Sequence, residues 1–153
     1  MTSRATSPRP SPWSDGLEVC SMITNTPGRR VLTGLDVVDI ARFRAALHRH
    51  PRLRERLFSH DELAYAVARR DPVIHLAARF AAKEAVGKLL GTGVTSWQDI
   101  CVENGGGAPS VRLLGRAAER AGSLGLGPIA LSLTHTDTMA LANAVAVVAG
   151  CDE

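Results

Sequence analysis

From Val73 to Leu90 the chain carries no proline and only one glycine, Gly87, and the run is rich in Ala, Leu, Lys and Glu. Asp71-Pro72 before it and Gly91 after it are start and stop signals, so the segment is predicted to form one long helix. Ala77, Ala78, Phe80, Ala81, Ala82, Ala85 and Val86 leave little of its circumference polar, and such a helix has to be covered by the rest of the fold. The charges embedded in it, Arg79, Lys83, Glu84 and Lys88, then need partners or a ligand.

The elements around this helix are short. Val31, Leu32, Leu35, Val37 and Val38 around Gly34 suggest a strand that begins at Arg30 and ends near Asp36. Ile40, Phe43, Ala46 and Leu47 recur at helical spacing up to Pro51, with Asp39 suited to the first turn. A short helix is expected over Leu53 to Phe58, and Ser59 with Glu62 forms a capping box that opens another helix from His60 to about Arg69. Trp97 to Val102 and Pro109 to Leu114 are β-like runs joined by Asn104-Gly105-Gly106-Gly107, a hairpin signal. Gly115 to Ser123 reads as a helix, and Ile129 to Thr134 with Met139 to Val148 as a second hairpin turning near Thr136-Asp137. Helices lead and paired strands close the chain, which favours an α+β domain, an antiparallel sheet packed against the long helix.

A length of 153 residues suits one domain, and 45% apolar with 22% charged residues can bury a real core. Residues 1–30, rich in Ser, Thr, Pro and Arg, are expected to be a disordered extension, and 31–150 the folded domain. The best membrane candidate, Met139 to Gly150, is about twelve residues long and contains Asn143, too short to span. Met1 to Pro12 has no apolar core of a secretory signal, and three cysteines without CxxC spacing argue against disulfide and zinc frameworks, so a reducing cytoplasm is expected.

Charge usage is uneven. Of 18 basic residues only Lys83 and Lys88 are lysines, which points to places where a compact ammonium is required. Arg42, Arg44, Arg49, Arg52, Arg54 and Arg56 face a single Glu in their stretch and should attract an acidic partner. Glu84 and Lys88, four apart, share a helix face with Arg79 and Lys83 nearby, either as a salt-bridged surface or as a ligand site. Asp36, interrupting an apolar run, is either a helix N-cap or the second of two carboxylates, with Glu84, for a divalent cation; Mg²⁺ takes one or two carboxylates beside phosphate oxygens and water. Gly91-Thr92-Gly93 is either a helix stop or a phosphate-approaching loop, and His135, at a strand end, is either structural or catalytic.

Gly34-Leu35-Asp36-Val37-Val38-Asp39-Ile40, Arg79-Phe80-Ala81-Ala82-Lys83-Glu84-Ala85 with Lys88 and Gly91-Thr92-Gly93, and Ser132-Leu133-Thr134-His135-Thr136 together resemble the signature segments of the small holo-acyl-carrier-protein synthases. The resemblance runs from about Val31 to Val148. It implies a Mg²⁺-dependent transfer of the 4′-phosphopantetheine arm of coenzyme A to a serine of an acyl carrier protein, releasing adenosine 3′,5′-bisphosphate. It implies metal ligation by Asp36 and Glu84 and coenzyme contacts from Arg79, Lys88 and His135; Lys83, Gly91 and Gly93 are expected to join these contacts, and Glu84, Lys88 and His135 to carry the catalysis. It further implies carrier-protein contacts from Arg42 and Arg52, and a homotrimer with sites between subunits. Glu84 is the preferred general base, His135 the second. The rival from another class is a nucleic-acid-binding module on the Arg42 to Arg56 stretch, for which 4% aromatic residues offer little base stacking.

Overall fold

The computed structural model describes residues 29–104 and 106–148. The expected disordered extension lies outside these residues except for Arg29 and Arg30, and Arg30 already belongs to the first strand. In chain order the elements are β1 (Arg30–Asp39), α1 (Ile40–Arg49), α2 (Leu53–Leu57), α3 (His60–Val67), α4 (Pro72–Leu90), a 3₁₀ turn (Trp97–Asp99), β2 (Ile100–Asn104), β3 (Pro109–Leu113), α5 (Gly115–Ser123), β4 (Ala130–His135) and β5 (Met139–Val148). β1, β5 and β4 make an antiparallel sheet in that order, and β2 with β3 a separate hairpin. The α+β architecture read from the sequence holds, with α4 lying across the inner face of the larger sheet.

α4 owes its length to its ends. Asp71 accepts a hydrogen bond from the Val73 amide, Pro72 occupies the first turn, and Gly91 closes the helix at φ 73°, in the left-handed region. Of its residues, Ala77, Ala81, Ala82, Ala85 and Val86 are wholly buried, as an Ala-rich helix with no polar stripe requires.

β1 corrects the sequence reading. It does not end near Asp36 but continues to Asp39, because β5 pairs with it along its whole length, from Arg30↔Val148 to Asp39↔Met139. Asp36 is therefore mid-strand and caps nothing; the cap of α1 is Asp39, whose side chain accepts from the Arg42 amide at 2.8 Å. Trp97 to Asp99 form a 3₁₀ turn rather than the start of a strand, and α3 stops at Val67.

Side chains alternate across the sheet. Ala140, Ala142, Ala144 and Ala146 of β5 face α4 and are buried, small enough to let the helix approach. Gly34 carries this furthest: a Cβ there would stand 1.9 Å from the Ala85 carbonyl oxygen, so β1 touches the backbone of α4 at that point. The opposite face is apolar and open, with Val31, Leu35, Val37 and Val147 all exposed. Among the described residues no helix is long and apolar enough to cross a membrane.

Candidate active site

The contact at Gly34 sets the next inward-facing residue of β1, Asp36, against the C-terminal half of α4. Lys88 Nζ donates to Asp36 Oδ1 at 2.7 Å and to the Leu35 carbonyl at 2.9 Å. The Asp36 side chain is 17% exposed and that of Lys88 52%, so the pair sits at the surface with its carboxylate sunk and its ammonium reaching over it. One turn earlier on α4, burial first and then the charge of Asp36 push the Glu84 carboxyl above the usual range, against the opposing pull of Lys88. The ammonium thus bonds Asp36, while Glu84 beside them feels it only through space. The two carboxylates line an open groove of about 700 Å³ floored by Phe43 and Phe80 and edged by Arg42 and Arg49.

The basic stretch continues from this groove. Arg49 also borders a second hollow that holds Arg52 and Arg56, so one band of guanidinium groups runs from the carboxylate pair out over the α1–α2 corner. Arg42 stands at its inner end and Arg52 at its outer end.

The other candidates lie elsewhere. Arg79 is 2% exposed; one terminal nitrogen donates to Asn104 at 3.0 Å, the guanidinium lies 3.8 Å from the Tyr65 ring centroid, and Nε is buried without a hydrogen-bond partner among the described residues. It lines a cavity of about 250 Å³ with Tyr65 and Asn104. His135 ends β4, is exposed, and lines a further groove with His75, Arg44 and Arg70. His75, which the His135 ring meets edge-on at 6.0 Å between centroids, lies about 14 Å along α4 from Glu84 at 1.5 Å per residue. Asp36, Glu84 and Lys88 are brought together in one chain; His135 and Arg79 are not brought to them.

Lys83 departs from the sequence reading. Its ammonium is 0% exposed and holds three acceptors, Glu62 Oε2 at 2.9 Å and the Leu57 and Trp97 carbonyls at 2.8 Å each, which satisfies all three donors. No donor remains for a coenzyme. Gly91 and Gly93 depart too. The amides of Gly91, Thr92 and Gly93 point back to the Lys88 and Gly87 carbonyls, so this is a helix stop and not a phosphate cradle.

Sequence reasoning missed the partner of Lys83. Glu62 was legible as the closing residue of a capping box, and it does receive the Ser59 amide at 2.8 Å, but it also takes the Val102 amide and the lysine. The aromatic floor was missed as well, and Arg49 was read only as one member of the basic stretch. Arg49 follows Arg42 by two helical turns, a spacing that could have put both on one face.

A model of the 4′-phosphopantetheinyl transferase superfamily matches residues 33–137, well over half of the chain. The chain belongs to that superfamily. Within it the likeness is to the holo-[acyl-carrier-protein] synthases: that of Moorella thermoacetica is 49% identical over 115 residues, which are 73% of this chain and 90% of the relative. Among solved structures, holo-ACP-synthase from Plasmodium yoelii superposes with a TM-score of 0.71 at 28% identity, covering 80% of this chain and 99% of that one. The Helicobacter pylori holo-[acyl-carrier-protein] synthase, solved in complex with coenzyme A, gives 0.64 at 27% identity, covering 78% of this phosphopantetheinyl transferase and all of that chain.

Proposed function

We propose that the Asp36–Glu84–Lys88 groove transfers the 4′-phosphopantetheine arm of coenzyme A to a serine of an apo acyl carrier protein. The observation that carries this reading is the pair of neighbouring carboxylates, Asp36 bonded to Lys88 and Glu84 raised by burial and by Asp36, in a chain of this family. A relative solved with coenzyme A supports the donor.

Asp36 and Glu84 fit a divalent cation. Their donors are hard oxygens, their charges are offset by one ammonium only, and among the described residues no third His, Cys, Asp or Glu completes a cage. A site with two carboxylates and room for phosphate oxygens and water suits Mg²⁺ rather than an ion needing a full protein shell. Bound there, the ion would neutralise pyrophosphate charge that otherwise repels an incoming nucleophile. The serine hydroxyl attacks the phosphorus bonded to the pantetheine oxygen; the new P–O bond forms as the bond to the adenosine bisphosphate breaks. The Glu84 carboxylate, lining the groove beside Asp36, takes the serine proton. Lys88 Nζ, already held over the site by Asp36, stabilises the departing phosphate charge.

Arg79 and His135 hold the adenosine end of the coenzyme by its remaining phosphate. Arg42 and Arg52, with Arg49 between them, receive an acidic carrier protein; the carboxylate pair at the inner end of this band favours a protein presenting a serine over a polyanionic nucleic acid. The open sheet face of Val31, Leu35, Val37 and Val147 is where copies of the chain meet, as a trimer, which would let His135 of one copy approach the Asp36–Glu84 pair of another. Leu35→Glu should dissociate the assembly in light-scattering chromatography. The test of the function is incubation with apo carrier protein, coenzyme A and Mg²⁺. Mass spectrometry should find the carrier protein heavier by one phosphopantetheine, and an unmodified carrier protein would overturn the reading.

A further inference from the structure

Between the cavity at Arg79 and the groove at His135 lies a residue assigned no role above. His75, on the first turns of α4, is half-buried with its ring edge-on to Tyr65 at 5.9 Å and to His135 at 6.0 Å. Tyr65 in turn carries the guanidinium groups of Arg79 and Arg69 on its ring, at 3.8 and 4.3 Å. Arg79, Tyr65, His75 and His135 thus form one continuous row that joins the two hollows, with Arg79 Nε, which has no hydrogen-bond partner among the described residues, at one end.

At its Arg79 end the row has acids near it, Glu62 beside the guanidinium and Asp61 and Glu103 lining the cavity, whereas the His75 end is mainly cationic. The charged and titratable groups facing His75 are Arg69 and Tyr65 from α3 and the turn after it, His135 from β4, and Arg79 and Asp71 from α4 and its cap. Arg44 and Arg70 border the same groove, with Asp137 at its edge. Asp71, the acid facing His75 among the described residues, is engaged by Arg44 at 2.7 Å. Burial, then Arg69, His135 and Arg79, hold the His75 imidazole below its ordinary value, which disfavours its charged form in the free protein.

We propose that His75 is a proton acceptor linked to phosphate binding: a phosphomonoester seated on the Arg79–His135 row draws a proton from solvent onto His75, which then adds its charge to the anion's site. The inference rests on the reading that Arg79 and His135 hold the adenosine end of coenzyme A. With the pyrophosphate assigned to the Asp36 end of α4, the phosphate left for this row is the 3′-phosphomonoester, which carries up to two negative charges. Before binding, cations surround His75 and oppose its protonation; after binding, the phosphate reverses the sign of the local potential. His75 is a positioning residue here, acting on the ligand through charge and through the ring of His135.

The test is coenzyme A binding measured by calorimetry between about pH 6 and pH 8, in buffers of different ionisation enthalpy. His75→Phe keeps an aromatic edge for Tyr65 and His135 and cannot titrate; His75→Gln keeps a polar side chain and also cannot. In the wild type, log Kd should fall with falling pH more steeply than in either variant, the extra slope approaching one proton and so up to about tenfold per pH unit. The extra proton uptake should vanish when dephospho-coenzyme A, which lacks the 3′-phosphate, replaces coenzyme A. Equal slopes and equal uptake in wild type and both variants would overturn the role of His75, as would an excess that persists with dephospho-coenzyme A. A wild type that binds no coenzyme A would instead overturn the functional reading on which this rests.

Discussion

Replacing Lys83 with methionine separates a structural lysine from a coenzyme-binding one. The substitution keeps the volume of the side chain but removes three hydrogen bonds, to Glu62 and to the Leu57 and Trp97 carbonyls, in a place with no access to water. Glu62, 1% exposed, would keep its charge with only the Ser59 and Val102 amides to hold it. Breaking a buried pair from one side costs about 3 to 5 kcal/mol, because the partner's charge stays buried. For a chain of this size that lowers Tm by about 10 to 20 °C. Adding Glu62→Gln should recover part of the loss, since the stranded charge is removed with it. Circular dichroism melts of the two variants give the stability change, and the Michaelis constant for coenzyme A, taken well below the melting range, should stay within about twofold of wild type. An unchanged Tm with a raised constant for coenzyme A would refute this and return Lys83 to the coenzyme site.

Three further outcomes follow from the groove. Glu84 has a folded-state value above its unfolded one, so its contribution to stability is present below the unfolded value and is lost as pH rises through the folded one; at pH 7 its charge therefore opposes folding. Glu84→Gln should accordingly melt no lower than wild type at that pH while transfer falls by at least about a hundredfold, as melts of the metal-free protein and a transfer assay would report. Lys88→Arg should lose most of kcat in a steady-state assay despite its charge, because a planar fork cannot reproduce the single-point contacts to Asp36 Oδ1 and the Leu35 carbonyl. Arg42→Glu with Arg52→Glu should raise the Michaelis constant for carrier protein and flatten its salt dependence while leaving that for coenzyme A nearly unchanged, as kinetics varying one substrate at a time would report.

What the sequence made legible was mostly local. The ends of α4, the capping box at Ser59 and Glu62 and the glycine-rich turn between β2 and β3 each depend on a few adjacent residues, and each reading agrees with the structure in kind. Pairings across the chain were harder. Nothing near Asp36 signals that β1 extends to Asp39, because the strand is prolonged by β5, about a hundred residues on. Lys83 looked like a member of the charged face of α4 because four-residue spacing links it to Arg79 and Gly87 but says nothing of α3, which delivers Glu62. The Asp36–Glu84 pair was accessible only because the residues around both are apolar or small, so that their charges had no evident local partner. The separation of His135 from Glu84 depends on which end of α4 the sheet edge meets, a tertiary fact with no sequence signature.

The central claim is that Asp36 and Glu84 complete a divalent-cation site when the coenzyme's pyrophosphate is present. Calorimetric titration of Mg²⁺ into the protein, with and without saturating coenzyme A, tests it most directly. The account predicts weak binding to the protein alone, binding tightened by coenzyme A, and loss of that tightening in both Asp36→Asn and Glu84→Gln. Wild-type Mg²⁺ affinity in the presence of coenzyme A for either folded variant would contradict it.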